Sequence, residues 1–166
     1  MLKVVGDILL ALGSGNLALL SLLDLSAAFD TVDHDTLLRR LQTSYGLDGV
    51  VIKWFASYFS GRTQHVRTLT TTSLPSPVAY GVPQGSVLGP ILFLLYVVDQ
   101  LKLIKRHRLS PHAYAQIYGF CQPSDVNALA DRVPACFDEV SSWMRANRLQ
   151  VNPSKIEVLW CASGRR

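Results

Sequence analysis

The apolar run from Leu88 to Val98 constrains this chain more than any other feature, because it must be buried and something has to be built around it. It is far short of the roughly 20 residues that a bilayer crossing needs. Ser86 stands just ahead of it as a helix cap, so the run predicts a core helix continuing to about Leu101. With 166 residues, 49% hydrophobic and 17% charged, the chain can bury one core and is expected to form a single globular unit.

The N-terminus carries Lys3, an apolar stretch and then Ser26-Ala27-Ala28, an order that mimics a secretory signal with a small-residue cleavage site. Asp7, Gly13, Gly15, Asn16 and Asp24 interrupt it, and they equally break a membrane span. The expectation is a soluble intracellular protein with no membrane partner, nucleus or cytoplasm left open. Cys121, Cys136 and Cys161 have no CxxC spacing and no nearby His, so they predict buried free thiols and neither a disulfide framework nor a zinc site. The formal net charge of +4 favours polyanionic partners without requiring them.

Around the core helix, Leu19 to Leu25 reads as a buried strand that delivers one carboxylate, Asp24, to an edge or cleft. Asp33 or Asp35 then caps a helix with Leu37, Leu38, Leu41 and Tyr45 on its apolar face and Gly46 as its stop. Val50, Val51, Trp54, Phe55, Tyr58 and Phe59 follow at helical spacing, a stripe expected to serve as core rather than as a base-stacking platform. Arg62 to Ser73 alternates like a strand or hairpin closed by Pro75 and Pro77, and Val78 to Tyr80 predicts a strand entering the loop Gly81-Val82-Pro83-Gln84-Gly85. The basic stretch Lys102 to Arg108 reads as solvated surface. Ala113 to Phe120 looks strand-like, Ser124 is placed to cap a helix that Pro134 should kink or split, and Ile156 to Cys161 closes the chain as a strand.

Two blocks carry the chemistry: Leu23-Asp24-Leu25-Ser26-Ala27-Ala28-Phe29-Asp30, and Gly81-Val82-Pro83-Gln84-Gly85-Ser86-Val87-Leu88-Gly89-Pro90. With Tyr114-Ala115, Gln116-Ile117-Tyr118 and the closing Asn152-Pro153-Ser154-Lys155, they resemble the reverse transcriptases of non-LTR (LINE-type) retrotransposons over nearly the whole chain. The resemblance implies an α+β fold: a polymerase palm-like antiparallel sheet packed by helices, with part of the fingers and no thumb, residues 1–166 forming one partial palm domain. It implies Asp24 as the first catalytic, metal-binding carboxylate and Phe29 as the ring against the sugar of the incoming nucleotide. Gln84 and Gly85 would contact template or nucleotide and Lys155 would approach phosphates. The implied partners are an RNA template, a DNA primer and deoxynucleoside triphosphates, with Mg²⁺ as cofactor.

The chain departs from that family where two adjacent aspartates are expected, because Ala115 runs directly into Gln116. An in-frame loss of Asp-Asp-Thr accounts for the gap, and it should remove both the carboxylates and the turn that folds the strand back. None of the twelve acidic residues lies between Gln100 and Ser124, so that segment supplies no replacement, while Asp30, Asp33 and Asp35 fit helix capping. A cage for two magnesium ions needs several hard oxygen ligands, so the expectation is an ancestral RNA-directed DNA polymerase with impaired catalysis. The alternatives are a non-catalytic nucleic-acid-binding remnant and a decayed element with no selected role.

Overall fold

The computed structural model describes residues 2–112 and 116–164. In chain order its elements are α1 (Leu2–Gly13), β1 (Leu17–Leu22), β2 (Leu25–Ser26), α2 (His34–Thr43), α3 (Gly49–Phe59), β3 (Thr63–Gln64) and β4 (Ser76–Pro77). They continue with α4 (Leu88–Arg106), β5 (Ser110–His112), β6 (Gln116–Cys121), α5 (Val126–Ala146), β7 (Gln150–Val151) and β8 (Glu157–Cys161). Two compact units result, one of Met1–Ser26 with Val98–Arg166 and one of Ala27–Val97. Among the described residues no helix is long and apolar enough to cross a membrane.

The first unit is built on a four-stranded antiparallel sheet in the order β5-β6-β1-β8. Facing residues of paired strands share one side, so Ala18, Leu20, Tyr118, Phe120 and Cys161 meet Val4, Ile8 and Leu12 of α1 in one cluster. The Tyr118 hydroxyl, in an almost fully buried side chain, donates to Asp7 of α1 at 2.8 Å, and Lys3 pairs with the same carboxylate at 2.8 Å. Elsewhere in this unit α5 buries Leu129, Val133, Cys136, Val140 and Met144, the stripe its 3.6-residue period dictates.

Several expectations change here. The first strand ends at Leu22, so Asp24 sits between β1 and β2 rather than on a strand. Pro134 does not split α5, which runs unbroken from Val126 to Ala146; both Pro134 and Ala130, whose carbonyl loses its helical donor, lie on the exposed side. Ser124 does not cap that helix: it sits in a 3-10 turn, Pro123–Asp125, and its hydroxyl donates to Asp125 at 3.3 Å. The chain also still folds back without the aspartates, since β5 and β6 pair in register from Ser110↔Tyr118 to His112↔Gln116. Tyr114 and Ala115 themselves lie outside the described residues.

In the second unit Asp33 is the cap of α2, accepting from the Thr36 amide at 2.8 Å, and Leu37 and Leu41 are fully buried as expected. Arg40 is buried with them, stacked over the Tyr96 ring at 4.8 Å and donating to the Tyr96 carbonyl. The core is completed by Val32, Phe59, Val82 and the α4 residues Leu92, Phe93, Tyr96 and Val97. The α3 stripe behaves differently from its prediction. Only Phe59, in the last turn, is buried, whereas Val50 and Trp54 are 82% and 52% exposed. Beyond α3, the chain forms an exposed hairpin arm in which β3 pairs with β4 and Arg67 bridges Thr72.

Candidate functional site

Asp24 lies in the first unit, where its position is fixed through its main chain. β2 pairs with β7, Leu25 facing Val151, and the Asn152 amide donates to the Asp24 carbonyl at 2.8 Å. Asn152 then accepts on its side-chain oxygen from the Ser154 amide at 3.2 Å and the Ser154 hydroxyl at 2.7 Å, shaping the turn Pro153–Lys155. That turn brings the Lys155 ammonium to 3.3 Å from the Asp24 carboxylate. Both side chains are well exposed, so the pair contributes about 0–1 kcal/mol. Two residues expected in separate roles are thus partners.

Among the described residues no group of three or more His, Cys, Asp or Glu side chains could hold a metal ion. Asp24 has a lysine beside it, and a divalent cation held by one exposed carboxylate lacks the multiple oxygen ligands that magnesium demands. These residues do not fit the metal cage that the sequence resemblance implies.

Phe29, Gln84 and Gly85 belong to the second unit, which brings their two segments together. The Gly81 amide donates to the Val32 carbonyl at 2.8 Å and the Val82 amide to the Phe29 carbonyl at 2.7 Å, zipping the loop onto the segment that follows Asp24 in sequence. Gly81 makes this approach possible. Its φ is +93°, and a Cβ there would stand 3.0 Å from the backbone of Phe29 and Asp30. The His34 ring nitrogen Nε2 lies 2.7 Å from the Gly81 carbonyl and donates to it in the tautomer that carries hydrogen on Nε2. Phe29 packs its half-buried ring on Phe93 of α4, with centroids 5.0 Å apart.

Gln84 is exposed, and its Nε2 donates to Asp30 at 2.9 Å. Asp30 therefore restrains a glutamine amide instead of capping a helix, a role that only the tertiary approach of the two segments creates. Gly85 stands exposed beside it at φ +76°, and the Ser86 hydroxyl donates to the Pro83 carbonyl at 2.7 Å and accepts from the Gly89 amide at 3.0 Å as α4 begins. A cleft of about 720 Å³ opens here, lined by Asp30, Arg62, Val78, Tyr80, Gly81 and Gln84 among others. Arg62 was not singled out from sequence. The available signal was that no acidic residue occurs between Asp48 and Asp99, leaving Arg62 and Arg67 without opposing charge nearby in the chain.

Residues 12–164 match the family described as reverse transcriptase (RNA-dependent DNA polymerase). The chain is 30% identical over 141 residues to a probable RNA-directed DNA polymerase from transposon BS of Drosophila melanogaster, covering 80% of this chain and 15% of that protein. A probable RNA-directed DNA polymerase from transposon X-element of the same organism is 32% identical over 157 residues, covering 92% of this chain and 17% of the relative. The chain thus spans less than a fifth of the length of these two relatives. In three dimensions it is similar to an apo telomerase from Candida tropicalis truncated from its C-terminal domain, with a TM-score of 0.63 and 15% identity over 99% of this chain and 36% of that one. At that identity the likeness speaks to fold, and it agrees with the expected α+β architecture and its palm-like antiparallel sheet.

Proposed function

Because the chain belongs to the reverse transcriptase (RNA-dependent DNA polymerase) family, we propose that it is a retrotransposon-derived RNA-directed DNA polymerase palm segment in which polymerisation is impaired. Divalent metal ions serve this family generally. The observation that carries the impairment is the environment of Asp24: its carboxylate pairs with Lys155, and Ala115 is followed in sequence by Gln116 rather than by further aspartates. Nucleotidyl transfer by two metal ions needs ligands on both, and one carboxylate neutralised by an ammonium group does not supply them.

In this reading residues 1–166 act as one partial palm domain, and the ancestral partners are an RNA template, a DNA primer and deoxynucleoside triphosphates. Phe29 and the Gln84-Gly85 loop are the contacts to nucleotide or template. Their support is the hydrogen-bonded union of the two segments at Gly81 and Val82, which holds Gln84 beside Asp30 in an open cleft. Lys155, whose ammonium lies 3.3 Å from the Asp24 carboxylate, is the further residue placed to approach phosphates.

The test is primer extension on an RNA template with magnesium or manganese, run on the chain and on a variant with Asp-Asp-Thr inserted between Ala115 and Gln116. No extension by the chain and recovery by the insertion variant is the expected result. Magnesium-dependent synthesis by the unmodified chain, abolished by Asp24→Ala, would overturn the proposal. A second reading, nucleic-acid binding without any catalysis, is favoured by the Arg62 cleft, and its minimum signature is an oligonucleotide affinity that falls with salt.

A further inference from the structure

We propose that Arg62 is a phosphate-binding residue, and that the cleft it lines holds a phosphodiester of a single nucleic-acid strand beside the Gln84 amide. The inference deepens the nucleic-acid reading above and rests on it. Arg62 follows α3 at the base of the hairpin arm, where its carbonyl accepts from the Val78 amide at 2.9 Å and so fixes its backbone against the far wall of the cleft. Its guanidinium is held by the last turn of α3. It lies over the Tyr58 ring at 4.9 Å and donates one N–H to the Tyr58 carbonyl at 3.2 Å.

What that guanidinium lacks is an anion. Among the described residues no carboxylate pairs with Arg62, and Asp30, the acidic residue lining the same cleft, accepts from Gln84 instead. A half-buried arginine stacked on an aromatic face has already lost much of its side-chain freedom, and the fork that remains matches a phosphate in two-point geometry. Desolvating that charge without a partner is unfavourable, so an anion entering the cleft gains more than it would at a freely solvated lysine.

The surroundings point to a strand rather than to an isolated small anion. Tyr58 stacks in turn on Trp54, with centroids 5.6 Å apart and planes at 14°, so Trp54, Tyr58 and Arg62 form one column along α3 with its outer ring about half exposed. Aromatic rings beside a cationic side chain are a usual grip on unpaired bases and backbone. The arm beyond Arg62 adds Thr and Ser hydroxyls and Arg67 with no acidic residue among them. Gln84, with its Nε2 donating to Asp30, keeps its carbonyl oxygen for a base edge, while Arg62 takes the backbone.

The experiment measures fluorescence anisotropy of a short labelled single-stranded oligonucleotide on the full chain across a salt series. Arg62→Gln is compared with Lys53→Gln, which removes the same charge from an exposed α3 position outside the cleft, and with Arg62→Lys; circular dichroism melts check folding. Arg62→Gln should weaken binding about tenfold, as loss of a charge-assisted contact does, and lower the slope of log affinity against log salt by about 0.7, the share of one phosphate on a single strand. Lys53→Gln should leave the slope unchanged and Arg62→Lys should largely restore it. Equal behaviour of Arg62→Gln and Lys53→Gln would overturn the cleft assignment alone, whereas salt-independent or absent binding by the unmodified chain would overturn the nucleic-acid reading itself. Displacement by a deoxynucleoside triphosphate, with the oligonucleotide slope unaffected by Arg62→Gln, would assign the arginine to a free nucleotide and reject the strand.

Discussion

Replacing Gly81 by Ala tests the junction on which the positions of Phe29 and Gln84 depend. The new Cβ would stand 3.0 Å from the Asp30 Cα, the Asp30 carbonyl oxygen and the Phe29 carbonyl oxygen, all backbone atoms that cannot swing aside like a flexible side chain. Alanine at φ +93° also carries a left-handed strain of roughly 1–2 kcal/mol. Relieving the contact means lengthening the Gly81 to Val32 and Val82 to Phe29 hydrogen bonds, now 2.8 and 2.7 Å, each contributing about 0.5–1.5 kcal/mol. The expected loss is therefore about 2–5 kcal/mol. Gly61→Ala is the matched control: its φ is +66° and nothing lies within 4 Å of its Cβ, so it should cost only the strain, about 1–2 kcal/mol. Urea titrations of both variants, followed by tryptophan fluorescence and circular dichroism, read the difference. Should Gly81→Ala prove no more destabilising than Gly61→Ala, the loop does not bear on the Phe29–Asp30 backbone, and the support for Gln84 as a positioned contact falls with it.

Three further outcomes follow from the packing and the charges. Leu129→Ala removes a fully buried side chain from the α5 stripe and should cost roughly 2–5 kcal/mol in the same urea titration, with a cost under 1 kcal/mol arguing against that burial. The Lys3 ammonium and the Tyr118 hydroxyl hold the Asp7 carboxyl below its ordinary value of 3.8, so their stabilisation is fully present above that pH and disappears as pH falls through the lower folded value. Melting temperatures from pH 6 down to about 2 should fall less steeply for Tyr118→Phe than for the unmodified chain, and parallel curves would refute the link. Burial first, and then Glu139, pushes the Cys136 thiol up to about 11, so iodoacetamide near neutral pH should label half-buried Cys161 in the native protein and reach Cys136 only after denaturation. Mass spectrometry showing both cysteines labelled natively at one rate would contradict it.

What was legible in the sequence was local. Asp33 caps its helix because the donor it serves, the Thr36 amide, is three residues away, and Leu37 and Leu41 are buried because a 3.6-residue period leaves them one side to face. The long helix after Ser86 follows from the same kind of signal, with Leu92, Phe93, Tyr96 and Val97 buried along it. The α3 stripe shows where such reasoning stops. Its period makes a helix, but whether Trp54 is covered depends on what packs there, and among the described residues of its unit only the last turn is enclosed. An amphipathic pattern predicts a face that prefers burial; it does not supply the partner.

The functional residues were legible as a set of motifs and not as a set of contacts. Asp24 and Lys155 are far apart in the chain, and they meet because β2 pairs with β7 and Asn152 turns the next residues back toward Asp24. No spacing rule contains that information. The hairpin carries the complementary lesson. Its missing aspartates suggested a lost turn, yet the fold-back survives, because the register of β5 on β6 and of β6 on β1 is set by ladder hydrogen bonds and by side chains such as Ile117 and Tyr118 that the sheet buries. Fold and chemistry therefore come apart at one point of the chain. Strand pairing depends on ladder hydrogen bonds and buried side chains, whereas metal binding depends on the number of oxygens converging on one position. With one exposed carboxylate at Asp24, a divalent ion would lack most of the oxygen ligands it needs, so restoring the two aspartates together, rather than removing the lysine, is the change that should recover a metal-dependent reaction.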